Sequence, residues 1–550
     1  MRGMFHRHFA ATAITLAVTG GAFAQSAVIR TSQSSDTAPR PEASTTAPAT
    51  TPDAQPSTGT DLQKAPIAPG LQGQAAAVAE QLRDLLATKL SRAIERKPDR
   101  AAVETFYRDR GFAPLWIADG APSPRAKAAI AFLRGVGADG LDPADYPTPG
   151  FTQTDADKLA QDEITLTNSI LSFARHARTG RVSFSRVSGA IYYDLEFPEA
   201  ANVLAHMANA GNIGEALEAY HPQQPGYKAL KAKLAEARSQ KKTAIADTLI
   251  ANMERWRWMP RELGKAHVTV NIPDYTLKVT DQGKTMWSTR IVVGKVGTQA
   301  TPLLSETMKF ITVNPTWNVP PSIIRNEYLP ALQRDPGALA RIGLKITHRK
   351  DGSIHVYQPP GEKNALGRIR FNFPNKFLVY QHDTPQKHLF AKEQRAYSHG
   401  CMRVQHPEKY AEVLLSISQP GDGYNGDRIR KMYGNNERTI NFKTPIPVHL
   451  TYQTAFVDEA GQLQTRPDIY GHDKAVLSLL RNGRGAADTP VARNYNSSSK
   501  PVVAQVPRRP DTSSQARRLD GYFNQRAEHV AHRPEYIAPS LPRRPYGIPY

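Results

Sequence analysis

The chain of 550 residues contains one cysteine, Cys401. A lone thiol cannot close an intramolecular disulfide, so a fold stapled by disulfides is excluded. Long apolar runs are also scarce. Beyond the first residues no stretch is long and apolar enough to span a bilayer, which leaves no transmembrane anchor. Acidic residues are in deficit, 50 against 70 Lys and Arg, for a formal charge of +20. Such a charge favours an anionic partner. The chain shows no nucleic-acid module, so nucleic acid is excluded and an acidic envelope polymer or anionic headgroups are expected. Large apolar side chains are nearly missing from residues 25–73, and residues 481–550 have a similar low-complexity, polar character. Neither stretch can bury enough surface to offset its ordering entropy, so a disordered linker and a disordered tail are predicted. The tail is basic, with 12 Lys and Arg against 5 Asp and Glu.

What is present begins with an export signal. Arg2 and Arg7 form a short basic region, Phe9 to Val18 is mostly apolar, and Ala22-Phe23-Ala24 has the small-x-small pattern of a cleavage site. Residues 1–24 therefore read as a cleaved signal peptide. From 74 to 260 the apolar pattern is helical. Val78, Leu82, Leu85, Leu86 and Leu90 form one stripe, and Arg125 to Leu133 and Leu166 to Arg175 repeat the texture between Gly/Pro breaks. This predicts a helical scaffold domain without catalytic residues. After Met259-Pro260 the pattern alternates, at Val268, Val270 and Ile272, at Ile291 to Val293 ending on Gly294, and at Val448, Leu450 and Tyr452. A β-rich domain is predicted over 261–475, with one helix opening at Pro407 and carrying Tyr410, Val413, Leu414 and Ile417. The expected fold class is α+β.

Cys401 precedes that helix, within Tyr397-Ser398-His399-Gly400-Cys401-Met402-Arg403-Val404. These polar neighbours do not suit a cysteine that merely packs, and point to a nucleophile. A thiol with a pKa near 8.5 is only about 3% ionised at neutral pH, so a nucleophile needs a base. His382, His388, His399 and His406 are near in sequence. Phe377 to His382 reads as a buried strand with Tyr380 and His382 on one face, which makes His382 the rigidly held candidate. His399, two residues from the thiol, could orient, support an oxyanion or be a structural ring. The histidines and the cysteine lack the short repeated spacings of zinc sites, so no metal and no cofactor is expected.

His382-Asp383-Thr384, followed by Cys401 19 positions after His382 within Ser398-His399-Gly400-Cys401, resembles the signature of the YkuD-type L,D-transpeptidase catalytic domain. Asn252 to Trp258, Asn314 to Pro321, Asn364 to Arg368 and Pro447 to Tyr452 are similar to the large, two-domain Gram-negative branch of that family. The resemblance runs from about Phe106 to Tyr470. It implies a periplasmic cysteine transpeptidase acting on peptidoglycan stem peptides in cell-wall biogenesis and cell shape. Cys401 would attack the carbonyl of the L-centre of diaminopimelate in a tetrapeptide stem and expel D-Ala, with His382 as base and then acid. Backbone N–H groups of Gly400 and Cys401 would receive the oxyanion. Trp317 and Tyr380 would wall the cleft, Ser398 and Arg403 would meet substrate, and residues 320–375 would include a lid. Arg403 stands where many relatives carry Asn.

The acceptor stays open. A second diaminopimelate amine gives a 3-3 cross-link, a protein amine anchors an outer-membrane protein, and water makes the enzyme an L,D-carboxypeptidase or hydrolase. A non-enzymatic wall tether is the reading from another class, and the intact histidine and cysteine motifs oppose it. The large branch commonly places a small peptidoglycan-binding module before Asn252. The space from Tyr220 looks too short for it, so wall affinity would fall to the cleft, the scaffold or the basic tail.

Overall fold

The computed structural model describes residues 59–348 and 354–482. The signal peptide, most of the expected linker and the tail beyond 482 lie outside them. Residues 59–72, assigned above to the disordered linker, are ordered instead. Leu62 is buried and Ala65, Ile67 and Leu71 pack on the helical core, supplying the apolar burial that the Ser/Thr/Pro-rich composition concealed. Arg481 likewise belongs to a helix, His472–Asn482, and pairs with Asp247 at 2.5 Å.

The helical core is built from Gly73–Thr88, Lys97–Asp109, Pro124–Gly135, Ala156–Thr179 and Ala200–Asn209. The 3.6-residue period places Val78, Leu82, Leu85 and Leu86 on its buried side. Asp155 caps the central helix by accepting from the N–H groups of Asp157 and Lys158.

The apolar core divides earlier than the change of texture at Met259-Pro260. Val182, Ile191, Tyr193 and the helices Pro225–Ser239 and Thr243–Trp258 pack with the sheet, not with the helical core. This helix pair fills the stretch before Asn252. The run Asn252 to Trp258 is the end of its second helix, where the polar side chains tie the helix to its neighbours. Asn252 exchanges hydrogen bonds with Thr454 at 2.7 and 3.0 Å, Arg255 pairs with Asp473, and Trp258 Nε1 donates to Val182.

The sheet closes on itself. Its order runs Ile369–Asn372, Gln381–His382, Met402–Val404, Lys284–Gly294, Thr276–Asp281, Ala266–Asn271, Arg438–Thr451, Leu303–Val313 and Ile191–Tyr192, and Leu303–Val313 also pairs back with the first strand. Alternation turns Val268, Val270, Leu277, Val279 and Ile291 into one core with Tyr410, Leu414 and Leu415 of the Pro407–Ser418 helix. Between Leu303–Val313 and Ile369–Asn372 lies an insertion. Trp317–Asn318, Lys345–His348 and Ile354–Gln358 make its own three-stranded sheet, over a core of Val319, Ile323, Ile324, Leu339, Leu344 and Val356. The segment expected to include a lid at 320–375 is thereby corrected at both ends. It begins with Trp317, and Ile369–Asn372 belongs to the main sheet because Ile369 and Phe371 alternate into the main core.

Candidate active site

Cys401 is half-buried in the turn between Ala396–Ser398 and Met402–Val404. The turn needs Gly400 at φ 114°, a conformation closed to most L-residues. The Gly400 carbonyl accepts from Thr301 Oγ1 at 2.8 Å, and its N–H donates to Ser398 Oγ at 3.2 Å. Ser398 Oγ in turn donates to the Cys401 carbonyl at 2.5 Å. Ser398, expected at the substrate, is therefore an internal brace, 3% exposed, with its hydroxyl spent on the turn. The Gly400 N–H is engaged in the same brace.

The strand that carries His382 is shorter than Phe377 to His382, because only Gln381–His382 pair. Asn375 interrupts it. Its side chain accepts from the N–H groups of Phe377 and Val379 at 3.0 and 3.3 Å and donates to the Val379 carbonyl, which turns Leu378 out to solvent at φ 56°. This is a local side-chain bond winning over the ladder. Two ladder positions are enough to fix the histidine. His382 lies opposite Arg370 on its antiparallel side and Arg403 on its parallel side. Paired positions share a face, so the imidazole stands between two guanidinium groups.

His382 Nδ1 lies 2.5 Å from the Asp383 carbonyl. A carbonyl only accepts, so Nδ1 carries the proton and Nε2 keeps its lone pair. Burial, reinforced by Arg403 and Arg370, pushes the imidazole pKa down to about 3, and the ring is neutral at pH 7. The Asp383 side chain is saturated by the N–H groups of Arg368 and Thr384 at 2.8 and 2.7 Å and by Lys387 at 2.5 Å. Gly367, at φ 62°, faces that carboxylate so closely that an added Cβ would lie 2.3 Å from Oδ2. The Asn364 to Arg368 run thus acts as a rest for the His382-Asp383 segment.

Tyr380 gathers the site. Its hydroxyl and its backbone both act on the Cys401 thiol to lower its pKa, and Trp317 acts on the same hydroxyl. The tyrosine ring lies 5.7 Å from the His382 ring, and the Arg370 guanidinium lies 5.5 Å from its centroid. Burial holds the Tyr380 hydroxyl well above its ordinary pKa, so it remains a donor. Burial also pushes the Cys401 thiol up to about 11, with the Tyr380 hydrogen bonds and the charges of Arg370 and Arg403 pulling it back. The thiol and the imidazole both rest neutral.

Trp317 and Tyr380, read from the sequence as cleft walls, are thus electrostatically coupled to the thiol. Arg403 donates to Gln386 at 2.5 Å, while its Nε and that of Arg370 are buried without hydrogen-bond partners among the described residues. His399 is exposed, and its Nε2 is engaged by Glu327 of the insertion at 2.6 Å. His388 and His406 are exposed. Sequence reasoning missed Glu327 and did not connect Arg370 to His382. The alternation of Ile369 and Phe371 is a strand signal, but it does not say which strand pairs with it. Elsewhere, Asp139, Glu218 and His221 meet in the helical part, where Lys231 Nζ lies 2.8 Å from both carboxylates and takes a cation's place.

Residues 265–439 match the family described as L,D-transpeptidase catalytic domain, and residues 101–234 match the family described as scaffold domain. A Haemophilus influenzae protein named "Putative L,D-transpeptidase" is 29% identical over 255 residues, 43% of this chain and 50% of that protein. The chain spans about half the length of this curated relative. The solved structure of the Ldtfm-avibactam carbamoyl enzyme aligns over 34% of this chain and 49% of its own at 12% identity, with a TM-score of 0.16, a likeness too slight to bear on the fold.

Proposed function

We propose that this chain, which carries an L,D-transpeptidase catalytic domain behind a scaffold domain, is an exported cysteine acyltransferase that works on peptidoglycan in the periplasm. The observation that carries this reading is Tyr380, whose ring lies 5.7 Å from the His382 ring and whose hydroxyl lowers the pKa of the Cys401 thiol. A tetrapeptide stem is the acyl donor. His382 Nε2 takes the thiol proton as the sulfur attacks the carbonyl of the L-centre of diaminopimelate, and then gives it to the departing D-Ala amine. General-base transfer at the moment of attack suits a thiol and an imidazole that both rest neutral. The Cys401 N–H, which makes no hydrogen bond among the described residues, and the Tyr380 hydroxyl are the donors nearest the developing oxyanion.

Arg370 and Arg403 supply the carboxylate site for the donor stem. Their partnerless buried Nε groups favour an anion, and a carboxylate placed there offsets the charge that keeps His382 from accepting a proton. The thioester then passes to an amine, and a diaminopimelate amine gives a 3-3 cross-link. Anchoring of an outer-membrane protein follows if the amine belongs to a protein, and hydrolysis follows if water replaces it. The test is incubation of purified protein with defined tetrapeptide muropeptides, read by mass spectrometry. D-Ala release with a thioester mass on the protein is expected, and both should vanish in Cys401→Ala and be lost to turnover in His382→Ala. An adduct that persists in Cys401→Ala would overturn the reading.

A further inference from the structure

Charge around the nucleophile is arranged in two halves. Arg370 and Arg403 flank His382 on the sheet. Facing the same turn from the insertion is a carboxylate, Glu327. The insertion delivers it through an unusual piece of backbone, one turn of π-helix at Ile324–Tyr328 between Pro321–Ile323 and Leu329–Arg334. Such wide turns redirect side chains and concentrate at functional sites. Here the turn brings Glu327 Oε1 to 2.6 Å from His399 Nε2 and 3.4 Å from Gln299 Nε2. His399 lies two residues before Cys401, and the Gln299 carbonyl lies 3.8 Å from where a Cβ on Gly400 would stand.

A second contact holds the same piece of chain. Tyr328, next to Glu327, meets Trp317 edge-on with centroids 6.5 Å apart. Glu327 remains 40% exposed at its side chain, and its second oxygen has no partner among the described residues. The other carboxylate near the site, Asp383, is buried and saturated. Glu327 is therefore an anion held at the mouth, with one oxygen anchored by His399 and one open.

We propose that Glu327 docks the ammonium group of the acyl acceptor, so that the Cys401 thioester is passed to a cationic primary amine in preference to water. This rests on the acyl-transfer reading above and assigns the acceptor side of the same site. The donor's carboxylates face the arginines and the acceptor's ammonium faces Glu327. The docked ammonium sheds one proton to solvent past the exposed Glu327–His399 pair. The neutral nitrogen then attacks the thioester carbonyl, forming the C–N bond as the C–S bond breaks, and its second proton passes through His382 to the departing sulfur. The products are an amide and the neutral thiol.

The test is a partition measurement on the full chain with Glu327→Gln. A tetrapeptide donor is supplied with either diaminopimelate, a cationic acceptor, or hydroxylamine, which is uncharged at neutral pH. Mass spectrometry reads D-Ala release, transfer product and hydrolysed tripeptide. The expected result is a fall of about fivefold in the transfer-to-hydrolysis ratio with diaminopimelate, the scale of a half-exposed charge pair. The hydroxylamine ratio should stay near wild type. An unchanged ratio for diaminopimelate, or an equal fall for both nucleophiles, would overturn the proposal, since the second outcome makes Glu327 a mere fastening of the insertion. Failure of the wild type to release D-Ala would instead remove the acyl-transfer reading, and this proposal with it.

Discussion

Tyr380→Phe removes one oxygen and leaves the ring, and so separates a hydrogen-bond donor from a cleft wall. That hydroxyl is coupled to the Cys401 thiol on one side and to Trp317 on the other. A hydrogen bond to an ionised group is worth about 1.5–3 kcal/mol. If it strengthens as the sulfur ionises, its loss should slow acylation by about 10- to 150-fold. The ring's contacts with His382 and the Arg370 guanidinium survive, so KM should hardly move while the limiting rate falls. The thiol, already pushed up to about 11, should rise further, and part of the lost rate should return at alkaline pH. Intact-mass measurement of carbapenem acylation against time, at several pH values, reads rate and ionisation together. Acylation within twofold of wild type with an unshifted pH profile would refute the donor role, and a raised KM at an unchanged limiting rate would make the ring a binding wall only.

His388→Ala and His406→Ala, both at exposed positions, should keep near-wild-type turnover where His382→Ala loses it, measured on the same muropeptide; a comparable loss at either would misplace the base. Gly367→Ala should destabilise the fold by about 2 kcal/mol or more, since alanine is strained at φ 62° and its Cβ meets the Asp383 carboxylate, and turnover should fall with it. A denaturation midpoint equal to wild type would count against Asp383 being seated there. Stability should also fall with acid. Burial is the first cause holding His382, His449 and His472 down, to about 3, 4 and 4, so below about pH 6.5 the unfolded chain binds protons that the native chain refuses. The stabilisation is whole above the unfolded value and is lost toward the folded ones, by about 1.4 kcal/mol per pH unit for each ring. Denaturant midpoints that do not move between about pH 7 and about pH 5 would refute the buried-neutral assignment.

The sequence by itself determined whatever rests on local pattern. The period of Val78 to Leu86 defines a helix face, the alternation at Val268 to Ile272 a strand, and Pro407 a helix start, because such signals lie within a few residues of one another. The family resemblance was legible in the same way, since a lone thiol 19 positions after a histidine is a motif of residue types at a fixed spacing. Composition proved a poorer guide at the edges. It placed Leu62, Ile67 and Leu71 in a disordered linker, although a few apolar side chains suffice once another surface is there to cover them. Only the tertiary structure decided which groups surround the thiol. Arg370 reaches His382 because two strands pair in one register, Gly367 rests on Asp383 because a turn approaches closely, and Glu327 arrives at His399 across 72 residues through a wide turn in the insertion. Each contact depends on register and on backbone approach between distant segments, quantities that side-chain periodicity does not carry. Ser398 shows the converse, since its place beside the nucleophile suggested a substrate contact and its burial made it the brace of the turn.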